Sequence, residues 1–506
     1  MTDAVEVLRT AVATLLHWLA WPLLLYFVVG NAIQLLLIML ATGDSLSLSA
    51  RQRREAQFRL MASRSVPGIS VVASMFNEEA GIVEATRSML SLNYPSHEVI
   101  LVDDGSKDAS FDALAQAFDL VEVPTAASGA IEVRQAPEST HVARDSSVRL
   151  TVLRKPNSGR ADSLNCAINT AREELVLFVD ADSLLDPRAL LSVAKPFADD
   201  PVRTVAVGGV IRAVNGCEVR SGRVVSVRPA TSWLPRIQGV EYLRAFHLGR
   251  AGWARLNSLL LISGAFGTFR RDILLEVGGL DADSIGEDFE LVMRIHRMLR
   301  LQRRPYRIRF VTEPICWTEV PSTWRVLSRQ RSRWHRGLWE TLWQHKGMLF
   351  NPRYGHLGFV AVPHYWLFEL FAPLFEAGGL VLLVLGLLLG LVNTDLLVAF
   401  AVVSYLFSTV VTLVAVLAEE LVTHRNERAR DIATTIAASV VEQFGYRQAT
   451  LWFRLKGWWA SLRRREQVWG VMSRTGFGGT PPALPPPPAQ ESTRPATHIT
   501  TAEGSR

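Results

Sequence analysis

The chain has few cysteines and no internal repeat. Only Cys166, Cys217 and Cys316 occur in 506 residues, and their spacing is not that of metal ligands. This excludes a disulfide-built fold and a zinc-binding module, and it is typical of reduced thiols in the cytosol. The absence of a visible repeat also excludes a solenoid architecture.

The first apolar segment contains no charged residue. Thr10 to Gly43 has no Asp, Glu, Lys or Arg across 34 residues. As a helix this run would be roughly 50 Å long, whereas the hydrocarbon core of a bilayer is about 30 Å thick. A cleaved signal peptide is the alternative, but the run is too long and has no obvious basic start. We therefore predict a transmembrane anchor over residues 1–50, tilted or kinked near Pro22.

A second apolar region predicts membrane and interfacial helices over residues 351–475. The candidate spans are Leu396–Ala418, Gly378–Asn393 and, as a weaker one, Ile432–Trp452. The stretch Gly355–Glu376 contains Glu369 and Glu376, which are costly at bilayer depth. It is therefore either a broken span with its glutamates facing protein or water, or a helix in the interface. The number of C-terminal spans, three or four, stays open.

Arginines predict the orientation of the chain in the membrane. They flank both apolar regions: Arg51, Arg53, Arg54, Arg325, Arg329, Arg331, Arg333 and Arg336. By the positive-inside rule, residues 55–350 form a cytosolic domain and the protein is multi-pass in the cell (inner) membrane. Arginines beside a bilayer explain the net charge of +6, so no nucleic acid is expected as a partner. The proline-rich residues 476–506 are predicted to be a disordered tail.

Strand and helix patterns alternate in the predicted cytosolic domain. The predicted strands are Ile69–Ala73, Glu98–Val102, Arg149–Leu153 and Leu175–Val179, and the predicted helices are Glu79–Leu92 and Arg160–Ala171. This order predicts an α/β fold with a mostly parallel, doubly wound sheet. The polar stretch of about residues 121–148 fits poorly and is predicted to be a surface insertion.

Two predicted strands end in paired acids. Asp180-Ala181-Asp182 follows one strand and Asp103-Asp104 follows another. Ligands bind at the carboxyl edge of open α/β sheets, and two carboxylates can hold a divalent metal that neutralises a diphosphate. We predict a metal at one pair and hydrogen bonds to a uracil or ribose at the other. Asn157–Arg160 opens a helix and is either an anion site or an ordinary turn and cap.

Six short motifs occur in an order that resembles a known family. They are Phe76-Asn77-Glu78, Asp103-Asp104-Gly105-Ser106, Lys155–Asn165, Asp180-Ala181-Asp182, Gly286-Glu287-Asp288 and Gln330-Arg331-Ser332-Arg333-Trp334. Roughly residues 66–345 resemble the inverting family 2 glycosyltransferases. The likeness is greatest to processive, membrane-embedded members such as cellulose, hyaluronan and poly-N-acetylglucosamine synthases. Three positions depart from the family pattern, namely Ser74, Gly286 and Arg160, and none of them removes a required carboxylate or cation.

The resemblance implies a GT-A-like fold and a single displacement at the anomeric carbon. Asp288 would be the general base, and Asp182, with Asp180, would hold Mg²⁺ or Mn²⁺. Other residues implied in catalysis are Glu287, Gln330, Arg333, which would pair with the diphosphate, and Trp334, which would contact an acceptor sugar. Residues implied in substrate binding are Asn77, Glu78, Asp103, Asp104, Lys155, Arg160 and Asp180. We add Gly264 and Phe266 in Ser263–Gly267, as an acceptor loop or as a simple turn. The arginine–tryptophan cluster has a membrane-interface anchor as its alternative.

The resemblance implies a UDP-sugar as donor, with glucose or N-acetylglucosamine favoured. Three functions stay open. The first is elongation and translocation of a β-linked extracellular polysaccharide, with accessory subunits as partners. The second is addition of a sugar to a lipid acceptor, and the third is sensing of nucleotide sugars without catalysis. Retention of Asp182 and Asp288 counts against the sensor, because a sensor does not need a base.

Overall fold

A mixed ten-stranded sheet organises the protein. The computed structural model describes residues 2–47, 66–125, 129–244, 249–392 and 429–463, with short stretches between residues 394 and 414. The strands are β1 (Ile69–Met75), β2 (His97–Asp103), β3 (Leu120–Val123), β4 (Ser139–Ala143), β5 (Arg149–Arg154), β6 (Leu175–Asp180), β7 (Leu184–Leu185), β8 (Thr204–Ala213), β9 (Glu218–Arg220), β10 (Arg223–Ser226), β11 (Phe266–Arg270) and β12 (Arg307–Thr318).

Helices precede, interleave with and follow these strands. They are α1 (Thr2–Ser47), α2 (Ile82–Leu90), α3 (Ser110–Phe118), α4 (Arg160–Thr170), α5 (Ala189–Asp199), α6 (Trp233–Tyr242), α7 (Arg250–Arg255), α8 (Arg271–Val277), α9 (Glu287–Leu301), α10 (Trp324–Gln344), α11 (Leu357–Leu370, with π-helical turns), α12 (Ala372–Leu388), α13 (Ala429–Val441) and α14 (Arg447–Leu462).

The centre of the sheet is parallel, as predicted, but the whole sheet is not. The strand order is β3-β4-β5-β2-β1-β6-β11-β8-β12-β7. Strands β5, β2, β1 and β6 run parallel, whereas β11 is antiparallel to both of its neighbours, β6 and β8. The prediction of a mostly parallel sheet was therefore wrong. Its error was to treat the segment around Phe266 as a loop, although Phe266 begins β11.

Each central strand is buried on both faces. Val71, Ala73 and Met75 of β1 pack into one apolar core, and Val72 packs into another core across the sheet. Successive side chains of a strand point to opposite faces, so a continuous apolar run is what a sheet covered on both sides requires. The four predicted central strands and the two predicted helices are confirmed, with end points shifted by up to three residues.

The predicted surface insertion contributes two edge strands. β3 and β4 pair with each other, and β4 pairs antiparallel with β5, which extends the sheet. Between them, Ile131 is buried, and its backbone exchanges two hydrogen bonds with the side-chain amide of Asn169 in α4. The segment is therefore part of the folded domain, a correction to its prediction as a loop.

Parallel pairing brings the motif loops to one edge of the sheet. In the register of the sheet, Met75 lies beside Asp103 and Ser74 lies beside Asp180. The loops after β1, β2 and β6 thus leave the sheet at the same level. This edge is where an open α/β sheet binds its ligands.

One described helix is long and apolar enough to cross a membrane, namely Ala4–Ala41 within α1. The pair α11 and α12, which are bent by 43° relative to each other, would count as a second only if the two helices form one broken span. The span predicted at Leu396–Ala418 lies mostly outside the described residues, as does the predicted tail of residues 476–506. The weaker candidate Ile432–Trp452 is interrupted by non-helical backbone at Phe444 and Gly445. Spans at both ends of the chain therefore stay a prediction.

The first helix contacts both the sheet domain and the C-terminal helices. Tyr26 stacks on Phe368 at 4.8 Å between ring centroids and donates a hydrogen bond to the carbonyl of Leu367. Further along α1, Leu37 lies against Gly252 of α7, where a Cβ atom would be 2.6 Å from the Leu37 carbonyl oxygen. Close backbone approach thus docks α1 onto the domain that carries the candidate site.

Candidate active site

The loop after β1 is tied to the loop after β2. Asn77 adopts left-handed backbone with φ of 56°, a conformation that asparagine tolerates better than most residues. Its side-chain oxygen accepts from the Lys107 N–H, and its own N–H donates to Ser106 Oγ. The Glu78 N–H donates to Ser110 Oγ. Asn77 therefore shapes the edge of the site, and its predicted contact with the donor remains a prediction, as does that of Glu78.

Asp104 holds the protein's own backbone. One of its carboxylate oxygens accepts from the Ser158 N–H and from Lys155 Nζ at 2.8 Å. The other accepts from the Gly159 N–H at 2.9 Å and from the Asn157 side chain at 3.1 Å. The residue is buried, and both oxygens are engaged. Asp104 therefore holds the loop that leads into α4, and its predicted contact with the donor stays a prediction.

Asp103 lies at the end of β2 and is also buried. One oxygen accepts from the Ser106 N–H at 2.9 Å, and the other is 3.6 Å from Arg154 Nε. The Arg154 guanidinium in turn covers the ring of Phe111 at 4.0 Å. Asp103 thus borders a half-exposed arginine, and it keeps its predicted role in donor binding.

Lys155 is enclosed by protein rather than open to a phosphate. Its side chain has no exposed surface, and Nζ lies 2.8 Å from Asp104 and 3.1 Å from Asp162. Ser158 Oγ also bonds both Lys155 and Asp162. A buried charge needs partners of this kind, because the free-energy cost of removing it from water is otherwise not compensated. The prediction that Lys155 contacts the donor is corrected: it holds the loop that leads into α4.

Arg160, the first residue of α4, links this helix to three other parts of the site. Its guanidinium donates to Asp180 at 2.8 Å, to Glu287 at 2.9 Å and to the carbonyl of Gly264 at 2.8 Å. Burial by itself lowers the pKa of Arg160, but Asp180, Glu287 and Asp288 outweigh burial and raise this pKa above its ordinary value. Gly264 is close because it lacks a side chain: a Cβ atom there would be 3.1 Å from the guanidinium nitrogens. The sequence motifs therefore meet in one cluster.

Asp288 and Glu287 have different environments at the start of α9. Asp288 is half-buried and accepts from the Gly264 N–H at 3.0 Å and from its neighbour Phe289 N–H at 2.8 Å. Glu287 is buried against Arg160, and burial raises its pKa against the opposing pull of that arginine. Asp288 is thus the less buried carboxylate of the pair, and its role as general base stays a prediction.

The loop Ser263–Gly267 borders the site through its backbone. Gly264 contacts both Arg160 and Asp288, which agrees with its predicted position. Phe266, by contrast, is fully buried at the start of β11 and packs in the core under the sheet. Its ring cannot lie beside a sugar, so the prediction for Phe266 was wrong. An apolar residue after a glycine turn can either begin a buried strand or line a pocket. The sequence alone did not distinguish these two positions for Phe266.

Asp180 and Asp182 provide oxygen ligands at the end of β6. Asp180 is partly exposed and bonds Arg160, while Asp182 is nearly buried in the following turn, where its charge acts on Tyr242 and Cys316. Among the described residues, no three His, Cys, Asp or Glu side chains cluster as metal ligands. Mg²⁺ commonly uses one or two carboxylates and takes its other ligands from phosphate and water. The donor set of Asp182 and Asp180 fits such a cation.

Helix α10 brings Arg333 to the acids. Burial lowers the pKa of Arg333, while the charges of Glu287, Asp180 and Asp288 oppose this effect. The same three carboxylates also act on Arg160, so two arginines lie near one cluster of acids. Trp334 is the next residue of α10 and is 39% exposed.

Trp334 is predicted to contact a sugar, and one face of its ring is covered by another side chain. The Arg331 guanidinium lies 4.5 Å over the Trp334 ring, and it is held by Glu241 at 2.8 Å. Gln330 lies one turn earlier on α10, and its side-chain oxygen is buried without a hydrogen-bond partner among the described residues. The roles predicted for Gln330 and Trp334 stay predictions.

Two residues of the site were not predicted. Asp162, in the first turn of α4, accepts from Lys155 and from the backbone N–H of Arg134. Gly337 of α10 lies against Gly286, beside the acidic motif. An aspartate soon after a glycine that opens a helix was a signal for the first. Gly337 gave no signal, because its partner is 51 residues away in the sequence.

The carboxyl edge of this α/β sheet gathers acids and arginines, an arrangement that suits a ligand with phosphate groups. Sequence comparison identifies the family. The model of "Glycosyl transferase family 2" matches residues 70–276, and that of "Glycosyl transferase family group 2" matches residues 175–418. Together they cover more than half of the chain, which belongs to glycosyltransferase family 2. The predicted resemblance is confirmed.

Similar proteins include two curated synthases. The chain is 28% identical over 279 residues to a poly-beta-1,6-N-acetyl-D-glucosamine synthase of Staphylococcus epidermidis, covering 55% of this chain and 56% of that protein. It is 26% identical over 275 residues to the synthase of the same name from Staphylococcus aureus strain COL, covering 54% and 55%. The chain thus spans about half the length of the curated relatives it matches.

Among solved structures, one similar chain is a mannosyltransferase from Pyrobaculum calidifontis in complex with GDP-Man and Mn²⁺. It is 17% identical, with a TM-score of 0.47, and the match covers 86% of this chain and 100% of that one.

Proposed function

We propose that this protein transfers a sugar from a UDP-sugar, with inversion, to the growing end of a β-linked polysaccharide. The observation that carries the proposal is the meeting of separate motifs at Arg160, which bonds Asp180, Glu287 and the backbone of Gly264. The two acidic residues, Asp180 and Glu287, are more than 100 residues apart in the sequence. An ordinary turn and cap at α4 would not need to bind both acidic motifs.

On the acceptor side, Asp288 takes the proton. Its carboxylate is half-buried at the start of α9 and is oriented by two backbone N–H groups. A general base must be within hydrogen-bond reach of the hydroxyl that it deprotonates. As the acceptor oxygen attacks the anomeric carbon, its proton passes to Asp288, and the bond to the diphosphate breaks on the opposite face. One displacement of this kind inverts the anomeric configuration.

On the donor side, positive charge meets the leaving diphosphate. Asp182, with Asp180, would hold Mg²⁺ or Mn²⁺, which when bound supplies electrostatic neutralisation of the departing group. Arg333 lies beside the same acids and can pair with the phosphate oxygens in the two-pronged way that guanidinium groups favour. Arg160 keeps Asp180 and Glu287 in place while the donor enters.

A polysaccharide product is favoured over a single transfer. Both curated relatives described above are named as synthases of poly-beta-1,6-N-acetyl-D-glucosamine, which makes UDP-N-acetylglucosamine the first donor to test. The helix α1 and the bent pair α11 and α12 contact each other through Tyr26 and Phe368, which fits a membrane bundle next to the site. We place the protein in the inner membrane, with the sheet domain in the cytosol and the chain end passing outward between the helices.

The test is product analysis with purified full-length protein in lipid nanodiscs. Radiolabelled UDP-N-acetylglucosamine and UDP-glucose are supplied in turn with Mg²⁺ or Mn²⁺, and products are sized. We expect long chains from one donor, and no product after chelation with EDTA until the metal is restored. One-sugar lipid products would replace the proposal with a lipid-acceptor enzyme, and donor binding without turnover would replace it with a sensor.

Two matched variants test the assigned base. Asp288→Asn removes the proton acceptor but keeps the shape and the hydrogen bond from Gly264, so turnover should fall by at least about 10²-fold. Asp272→Asn is the control and should retain turnover, because Asp272 is an exposed residue of α8 that pairs with Arg270. Undiminished turnover of Asp288→Asn would remove Asp288 as the base.

A further inference from the structure

The helix that carries Arg333 approaches the start of α9 through a close contact between two glycines. The contact joins the backbone of Gly337 in α10 to that of Gly286, which precedes α9. A Cβ atom on Gly337 would lie 3.0 Å from both Cα and N of Gly286, and one on Gly286 would lie 3.2 Å from Cα of Gly337. Backbone atoms cannot move aside as a flexible side chain can, so a side chain at either position would push the two backbones apart by a few tenths of an ångström.

Neither glycine is needed for its backbone conformation. Gly286 has φ of −109°, on the side of φ that other residues adopt. Gly337 lies inside α10, where glycine costs about 0.5–1 kcal/mol relative to alanine. What glycine provides at both positions is close approach. This also gives a physical reason for the departure from the family pattern at Gly286.

A second contact lies further along the same two helices. His345 Nε2, at the end of α10, is 3.3 Å from Glu290 Oε1 of α9, and both side chains are almost fully buried. Glu290 comes four residues after Gly286, and His345 comes eight residues after Gly337. Residues four apart share a helix face, so both contacts lie on the facing sides of α9 and α10.

The same face of α10 carries Arg333. It precedes Gly337 by four residues, one helical turn. The charges of Glu287 and Asp288, in the first turn of α9, act on it. How closely Gly337 approaches Gly286 therefore affects where Arg333 lies relative to Asp288.

We propose that the Gly286–Gly337 contact, reinforced by the Glu290–His345 pair, is a positioning device that sets Arg333 against Asp288. Gly286 and Gly337 are positioning residues, since they act through Arg333 and touch no substrate. The proposal rests on the proposed function, in which Arg333 pairs with the diphosphate while Asp288 faces the acceptor. Groups that act on opposite sides of one displacement must be aligned together, and a 1 Å error can cost about 10²-fold in rate.

The first test measures kcat and the KM for the donor as two separate quantities in each variant. For Gly337→Ala we expect kcat to fall about tenfold or more while KM for the donor changes less than about threefold, because the donor loops lie on other elements. Gly347→Ala is a matched control, since a Cβ atom at Gly347 meets nothing within 4 Å. Thr341→Val controls for the same face of α10, because its buried hydroxyl has no hydrogen-bond partner in the described part of the chain.

The second test is a double-mutant cycle with Arg333→Ala. If Gly337 acts through Arg333, adding Gly337→Ala to Arg333→Ala should lower kcat by less than about twofold further. Equal losses in both backgrounds, or an unchanged kcat in Gly337→Ala, would overturn the proposal. A joint fall in melting temperature and donor affinity in both Gly337→Ala and Gly286→Ala would assign the contact to folding and would also overturn it. Absent turnover in the wild-type protein would instead contradict the proposed function.

Discussion

Lys155 shows how a residue of a ligand motif can serve the fold. A basic, glycine-containing segment at a helix start indicates a phosphate site, and the sequence offers nothing against that interpretation. The structure encloses the ammonium group between Asp104 and Asp162, with no exposed side-chain surface. Its charge thus neutralises two buried carboxylates, and the loop into α4 depends on it.

The variant Lys155→Met should therefore act on stability. Removal of one partner leaves buried carboxylates without a counter-ion, which costs about 3–5 kcal/mol. We expect a clearly lower midpoint in thermal or denaturant unfolding followed by tryptophan fluorescence. Lys195→Met is the control, because Lys195 pairs with Asp199 on an exposed helix face, where such pairs contribute about 0.3–0.5 kcal/mol. A Lys155→Met protein as stable as the control variant would contradict the structural role.

Arg160 is where the acidic motifs meet, and its geometry matters as well as its charge. Arg160→Lys keeps the charge but cannot span Asp180, Glu287 and the Gly264 carbonyl at once. We expect kcat/KM in the sugar-transfer assay to fall about tenfold or more, with little change in the unfolding midpoint. Arg188→Lys, an exposed residue 3.9 Å from Asp186, should leave both quantities unchanged. Full activity of Arg160→Lys would mean that charge alone suffices there.

At the scale of elements, ion pairs attach the C-terminal helices to the sheet domain. Arg244, which follows α6, makes a two-pronged pair with Glu442 at 2.6 and 3.1 Å. Nearby, Glu241 of α6 accepts from Arg331 of α10 and from the Tyr446 hydroxyl. The break between α13 and α14, at Phe444 and Gly445, places Glu442 and Tyr446 against these partners.

Glu442→Gln should loosen this attachment. The buried Arg244 loses its counter-charge, so residues 429–463 should detach more readily from the domain. Limited trypsin digestion in nanodiscs should then cleave within this segment faster than in the wild type. Glu340→Gln is the control, because Glu340 forms a partly exposed pair one turn from Arg336 in α10. Equal cleavage rates in Glu442→Gln and wild type would show that the pair does not hold the segment.

At the scale of the whole molecule, the orientation in the membrane stays a prediction from the arginines that flank the apolar segments. A thiol on the sheet domain can test it. Cys217 is half-buried, whereas Cys166 and Cys316 are buried. In intact cells, a maleimide that cannot cross the membrane should leave Cys217 unlabelled, and it should label Cys217 after permeabilisation. Cys217→Ser is the control for background, and labelling of intact cells would place the domain outside.

The sequence determined the features that depend on local pattern. Apolar runs marked β1, β2 and β6, because a strand buried on both faces must be apolar throughout. The acids that follow β2 and β6 marked the edge at which parallel neighbours end. The order of the motifs was enough to identify the family. The uncharged length of Thr10 to Gly43 marked a helix that is long enough to span a membrane.

Only the tertiary structure decided which motif residues face the cleft and which face the core. Phe266 and Lys155 lie in motifs of the expected kind, but burial makes the first a core residue and the second an internal counter-ion. The antiparallel entry of β11 and the approach of Gly337 to Gly286 likewise depend on partners far away in the sequence. The physical reason is that burial and pairing are properties of the assembled fold, set by what packs against a residue rather than by its neighbours along the chain.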